Sequence, residues 1–158
     1  MPTVSLSSDN RYEFFVAGKP VPQPKVLAGK WGVYERDPKG LAKEWRSKIV
    51  FAAKEAMKKN GVTMAGQYVP VSLNMVFYLN PPTKIPKERK EWGHQPTIIP
   101  DVSNYAYLVE NALKGVCYRD DSQVIDKHER KVYTDDGECG VLVVIRTGDL
   151  AVKLPRNI

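Results

Sequence analysis

The sequence predicts an α/β fold of the α+β type, a small mixed sheet with two main helices packed on it. Three observations carry this. Residues 69–79 (VPVSLNMVFYL) alternate apolar and polar, the period of a strand with one covered face. Residues 41–59 and the stretch after Pro100 place apolar residues every three to four positions, as amphipathic helices do. Two further β-type runs close the chain.

In chain order, residues 11–17 (RYEFFVA) are rich in aromatic and β-branched side chains and read as the first strand. Residues 18–40 are dense in Gly, Pro and Lys and read as a long irregular connection. Its lysines Lys19, Lys25 and Lys30 are candidates to grip phosphates, the alternative being ordinary solvated charge. In the first helix Leu41, Trp45, Ile49, Ala53 and Met57 form the apolar stripe, and Asn60-Gly61 ends it as a left-handed cap would. In residues 69–79, Val71, Leu73, Met75, Phe77 and Leu79 face the core, and Pro70 marks the start.

Residues 80–100 carry four prolines between Pro81 and Pro96, a density that forbids regular structure. Lys84, Lys87, Arg89 and Lys90 are interleaved there with Trp92 and His94. A basic loop with an aromatic tip can follow a phosphate backbone or stack on a base, the alternative being a disordered, solvated charge run. After Pro100, Val102, Ala106, Val109 and Leu113 form the buried stripe of a second helix. Ser103, Tyr107, Glu110, Asn111 and Lys114 lie on its other side. Residues 123–134 and 140–147 read as strands joined by a hairpin at Asp136-Gly137, and the tail from residue 150 packs on the sheet edge or frays.

At 158 residues the chain fits a single domain spanning residues 1–158. A formal net charge of +6 favours polyanionic partners without requiring nucleic acid. No apolar run is long enough to span a membrane, and the N-terminus lacks the pattern of a secretory signal. Cys117 and Cys139 have no zinc-type spacing and read as reduced thiols in a cytoplasmic protein. Nucleotide phosphate-loop, G-x-S-x-G and H-E-x-x-H motifs are all missing, so no nucleotide cofactor is expected.

The residues that carry chemistry are acidic and sit at chain reversals. Asp101 stands where a helix N-cap belongs, and Asp120-Asp121 enter a strand after a turn. Each has a bland reading, a cap for Asp101 and a turn for the pair. If Asp101, Asp120 and Asp121 converge, their oxygens suit Mg²⁺, which accepts two or three carboxylates together with water and phosphate oxygens. A metal there would activate a water and offset charge at a phosphodiester.

The phrases PDVSN (100–104) and VENALKGVCYRDDSQV (109–124), the strand HERKVY with Lys131, and FVAGKPVP (15–22) together resemble the RusA-like Holliday junction resolvases found in prophages. That resemblance implies a homodimer that binds four-way DNA junctions and cuts two strands symmetrically with Mg²⁺ or Mn²⁺, in recombination, repair or phage DNA processing. By motif the metal aspartates are Asp101 and Asp121, with Asp120 beside them. Dimerisation has a physical logic, since a two-fold junction calls for two sites related by two-fold symmetry. The chain departs from the family pattern P-D-x-D-N-L-x-K in having Ser103 for the second acid and Tyr107 for the lysine, and Asn111 replaces a later acid. Ser103 can coordinate or hold a metal-bound water but supplies no charge, and Lys114 or Lys131 is the candidate to replace the missing lysine. The chain is therefore read as an active endonuclease with Asp101, Asp121, Asp120 and Ser103 at its centre. The alternatives are a junction- or DNA-binding protein of the same fold with impaired chemistry, and a small interaction protein whose acids are only a cap and a turn.

Overall fold

The computed structural model describes residues 10–135 and 137–150. The expectations placed on the first nine residues, on Asp136 and on the tail beyond residue 150 lie outside them. The elements run β1 (Asn10–Ala17), β2 (Val26–Gly29), β3 (Gly32–Glu35), α1 (Leu41–Asn60), β4 (Val71–Leu79), α2 (Val102–Leu113), β5 (Val124–Tyr133) and β6 (Gly140–Thr147). The predicted class holds: a four-stranded mixed sheet in the order β1-β6-β4-β5 carries two helices, and β2 and β3 form a separate two-stranded ribbon. Among the described residues no helix is long and apolar enough to cross a membrane.

β4 organises the sheet. It pairs antiparallel with β6 and parallel with β5, so both its edges are covered. Val71, Leu73, Met75 and Phe77 point to the helices and are fully buried. They meet Tyr12, Phe14 and Val16 of β1, Val141, Val143 and Ile145 of β6, and the apolar stripes of both helices in one core. Phe77 stacks on Tyr105 of α2, with ring centroids 5.4 Å apart.

α1 buries Ala42, Trp45, Ile49, Ala53, Ala56 and Met57. Leu41, expected on that stripe, is exposed; the face is centred about one residue later, so Ala42 takes its place. Gly40 makes no side-chain cap. Instead the Asp37 carboxylate accepts the N–H groups of Ala42 and Lys43, each at 3.1 Å, filling the same need from outside the helix. Gly61 ends α1 with φ of 63° and returns its N–H to the last turn, as expected.

Two expectations are corrected. The last two strands do not form a hairpin, because β4 lies between them. β6 is apolar on both faces and must sit inside the sheet, whereas β5 carries Asp126, Lys127, His128, Glu129, Arg130 and Lys131 in succession and belongs at an edge. Burial thus overrides the local turn signal. The connection over residues 18–40 is not wholly irregular either, since it contains the β2–β3 ribbon, paired from Val26↔Glu35 to Gly29↔Gly32. Glu35 fixes the foot of that ribbon to α1 through bonds of 2.8 and 2.7 Å from Arg46.

Two predictions follow from these contacts. A Cβ at Gly140 would lie 2.3 Å from the Val16 carbonyl oxygen, a backbone atom inside the β1–β6 ladder. Gly140→Ala is expected to lower stability by about 1–3 kcal/mol in urea unfolding, the range for overpacking a fitted site. The bond from Arg46 holds the Glu35 carboxyl below the usual range. The ribbon clamp is therefore complete above the ordinary Glu range and is lost only as pH falls through the lower, folded-state value. Amide exchange in β2 and β3 should stay slow through the normal glutamate range and accelerate below it. In Glu35→Gln that acid step should vanish.

Candidate functional site

Parallel strands cannot be joined by a tight turn, so after β4 the chain must cross back before β5 begins. α2 makes that return, running antiparallel to β5. Asp101 therefore stands at one end of α2, and Asp120-Asp121 follow its other end. Twelve residues at about 1.5 Å rise each put the two ends roughly 18 Å apart. Two lysines of β5 register this arrangement. Lys127 Nζ lies 3.0 Å from Glu110 Oε1 near the C-terminal end of α2, and Lys131 Nζ donates to the Pro100 carbonyl at 2.9 Å just before its start. Within one chain, then, Asp101 does not converge with Asp120 and Asp121. Among the described residues no group of three His, Cys, Asp or Glu side chains is placed to hold a metal ion.

At the Asp101 end the carboxylate is exposed and makes no capping bond, although Asp101 occupies the N-cap position. Its backbone carbonyl accepts the N–H groups of Asn104 and Tyr105 instead. The cap reading thus does not account for the acid. Ser103 is exposed in the first turn beside it. Lys131 also donates to the Ile98 carbonyl at 2.6 Å, tying the end of the basic loop to β5 and placing an ammonium next to the Asp101 backbone.

The loop over residues 80–100 is ordered around a short 3-10 turn, Lys87–Arg89. Ile85 packs on Gly93 so closely that a Cβ there would lie 2.6 Å from Ile85 Cγ2. Arg89 folds inward, donating to the Tyr133 hydroxyl at 3.0 Å and to the Gln95 carbonyl at 3.3 Å. Lys84, Lys87 and Lys90 remain exposed with Trp92. Of the basic residues expected at DNA, then, Arg89 and Lys131 hold the loop in shape while Lys84, Lys87 and Lys90 face outward. Lys19 is exposed at the rim of a mainly apolar cavity of about 380 Å³, lined also by Pro82, Ile98 and Tyr105, and Lys25 is exposed at the foot of the ribbon.

At the other end a 3-10 turn, Asp121–Gln123, presents both aspartates to solvent. Asp120 accepts the Ser122 hydroxyl and the Ser122 N–H, which hold its carboxyl below the usual range, with Lys114 adding to the effect. Lys114 Nζ lies 3.9 Å from Asp120 and 3.5 Å from Asp121, so one ammonium offsets the repulsion of the pair. A cavity of about 220 Å³ opens beside Asp121 and is lined also by Glu110, Asp126 and Lys127. The bond to Glu110 pushes the Lys127 ammonium pKa up, keeping it charged.

Gln123, buried, fixes the turn. Its Oε1 accepts the N–H groups of Arg119 and Asp120 at 2.8 and 2.9 Å, and its Nε2 donates to the carbonyls of Gly66 and Val69 at 2.7 and 3.1 Å. Neither this role nor the Glu110–Lys127 pair was singled out from sequence. The signal for the pair was the i, i+2 spacing of Lys127, Glu129 and Lys131, one row on the α2 side of β5. Cys117 is buried, its thiol pushed up to about 11 by burial, and its sulfur contacts Met57 at 3.9 Å. It is a packing residue. Both cysteines are free, and His128 lies on the exposed strand face beside Asp126 at 3.2 Å, both as expected.

Comparison with known proteins adds two findings. The family model described as endodeoxyribonuclease RusA matches residues 17–146. An uncharacterized protein of Bacillus subtilis (strain 168), YqaN, is 32% identical over 141 residues, covering 83% of this chain and 94% of its own.

Gln123→Leu keeps the side-chain volume but leaves two N–H groups and two carbonyls without their partner. A loss of roughly 2–4 kcal/mol in urea unfolding is expected, since each unpaired buried group costs about 1–3 kcal/mol and some regain water. Faster amide exchange at Arg119 and Asp120 should accompany it.

Proposed function

The chain belongs to the RusA endodeoxyribonuclease family, and from that premise we propose that it is a metal-dependent nuclease that resolves four-way DNA junctions as a homodimer. The observation that carries this reading is the pair of exposed acidic positions at opposite ends of α2: Asp101, which makes no capping bond, and Asp120-Asp121, where Asp121 is left free of any capping role. In one chain they are two half-sites. A second copy related by a two-fold axis, with its α2 reversed, sets Asp101 of one copy beside Asp121 of the other. One such axis generates two equivalent sites, as symmetric cutting of two strands requires.

The donor chemistry suits Mg²⁺ or Mn²⁺, both of which take hard oxygen ligands. Asp101 and Asp121 would hold the ion, with Asp120 beside them and Ser103 as a neutral oxygen. Bound there, it supplies an activated water and offsets charge growing on the scissile phosphate. The protein's own groups do the positioning. Gln123 fixes the Asp120-Asp121 turn, Lys131 fixes the approach to Asp101, and the exposed lysines Lys84, Lys87 and Lys90 draw the phosphate backbone toward that end. Lys114 partly offsets the charge of the aspartate pair and is a candidate cation for the reacting phosphate, where the family pattern offers a lysine in place of Tyr107.

A second reading, junction binding without cleavage, is favoured by one observation: Ser103 stands where the family pattern has an acid. A labelled synthetic four-way junction incubated with Mg²⁺ or Mn²⁺ separates the two. Paired nicks by wild type, lost in Asp121→Asn with binding retained, are the expected result; tight binding with no nicks in either metal would leave only the second reading. Co-expressed Asp101→Asn and Asp121→Asn chains test the shared site. A mixed dimer regains one intact site and should nick a single strand, whereas sites confined to one chain would give none.

A further inference from the structure

The β2–β3 ribbon contributes no residue to the core. Every β3 residue is exposed, and in β2 only Leu27 is half-buried. Trp31, in its turn, is 93% exposed, and Val26, Val33 and Tyr34 are also open to solvent. Such an element is costly to order and ordinarily frays. Here its foot is held to both helices. Gln23 Nε2 donates to Glu35 at 2.9 Å and Arg46 donates to Glu35 and Gln23. The Gln23 N–H donates to the Asn104 carbonyl at 3.0 Å, and Asn111 Nδ2 donates to Gln23 at 3.3 Å. The ribbon therefore projects from the body while its base is tied to α2, the helix whose ends carry the acids.

Its charge is one-sided. Residues 18–40 contain Lys19, Lys25, Lys30, Arg36 and Lys39 against Glu35 and Asp37. Both acids are committed, Glu35 to Arg46 and Asp37 to the start of α1. Among the described residues none of those five cations has a carboxylate within 4 Å. The Lys30 ammonium lies 5.5 Å from the centre of the Trp31 ring, so the tip joins an aromatic face and a cation.

We infer that the β2–β3 ribbon is a DNA-engaging arm: Trp31 stacks on a base left unstacked at the branch point, and Lys25 and Lys30 hold the flanking phosphates. The inference rests on the junction reading above and adds an arm that tells branched from continuous DNA. The chemistry favours nucleic acid over a second copy, because two arms of like charge repel while a phosphate backbone attracts both. A two-stranded ribbon is narrow enough for a DNA groove. Aromatic stacking tolerates any base but needs a free base face, which a continuous duplex does not offer.

The test uses the full chain, with fluorescence anisotropy of a labelled four-way junction and of a linear duplex matching two of its arms, both without divalent metal. Trp31→Ala is expected to weaken junction binding about five- to a hundredfold, the range for one lost base–aromatic stack, and to leave duplex binding within about twofold. Trp31→Phe should keep most of the junction affinity. Lys25→Ala and Lys30→Ala should each lower the salt slope on the junction by about 1. Trp31 touches no core residue, and far-UV circular dichroism with light scattering checks fold and oligomeric state. Unchanged junction affinity in Trp31→Ala overturns the inference. So does a shift of that variant from dimer to monomer, which would make the ribbon a contact between copies. If wild type binds neither DNA in a salt-dependent manner, the junction reading itself fails, a distinct result.

Discussion

A strand with no exposed edge is the constraint on which this structure depends. β4 is apolar along the face it turns to the helices and is covered by β5 on one side and β6 on the other. Because the β4–β5 pairing is parallel, a crossover has to intervene, and α2 supplies it. The crossover direction then fixes where chemistry can sit. The residue entering α2 and the residues leaving it toward β5 are bound to lie at opposite ends of the helix. The separation of Asp101 from Asp121 is thus a consequence of how the core is covered.

Polar side chains refine what the core makes approximate. Gln123 joins the Asp120-Asp121 turn to the loop before β4 with four bonds. Lys131 and Arg89 convert a proline-rich stretch into a shaped loop by binding backbone carbonyls and a tyrosine hydroxyl. Arg46, Glu35 and Gln23 do the same for the ribbon. In each case a long side chain from a rigid element satisfies groups of an irregular one, which stabilises position more than it stabilises the fold. Lys114 differs: its exposed ion pairs contribute little stability but balance the local charge of two adjacent carboxylates.

Much of this was legible in the sequence, for reasons specific to each element. Both main helices and β4 announce themselves because their apolar spacing repeats over many residues, and burial enforces that period. The end of α1 was legible because Gly61 takes a left-handed conformation that few other residues adopt readily. What failed was pairing. Asp136-Gly137 signals a hairpin locally, but whether β5 and β6 are neighbours depends on which strand can tolerate an edge, a property of the whole sheet. Within one chain the three aspartates stay apart for the same reason, since their distance is set by topology rather than by spacing along the sequence. Arg89 and Lys131 show a further limit: a basic residue looks the same in sequence whether it faces a phosphate or holds a carbonyl.

The length of α2 has a consequence for control. Under the shared-site reading, a lone chain carries two incomplete centres and no complete one, so it cannot cut. Cleavage then rises with the square of chain concentration while dimers are scarce, and dilution silences the enzyme without any inhibitor. Binding to a two-fold substrate would itself raise local concentration and assemble the competent form where two cuts are wanted. A single nick made away from a branch is damage. A helix of twelve residues between the acids would serve as the safeguard against it.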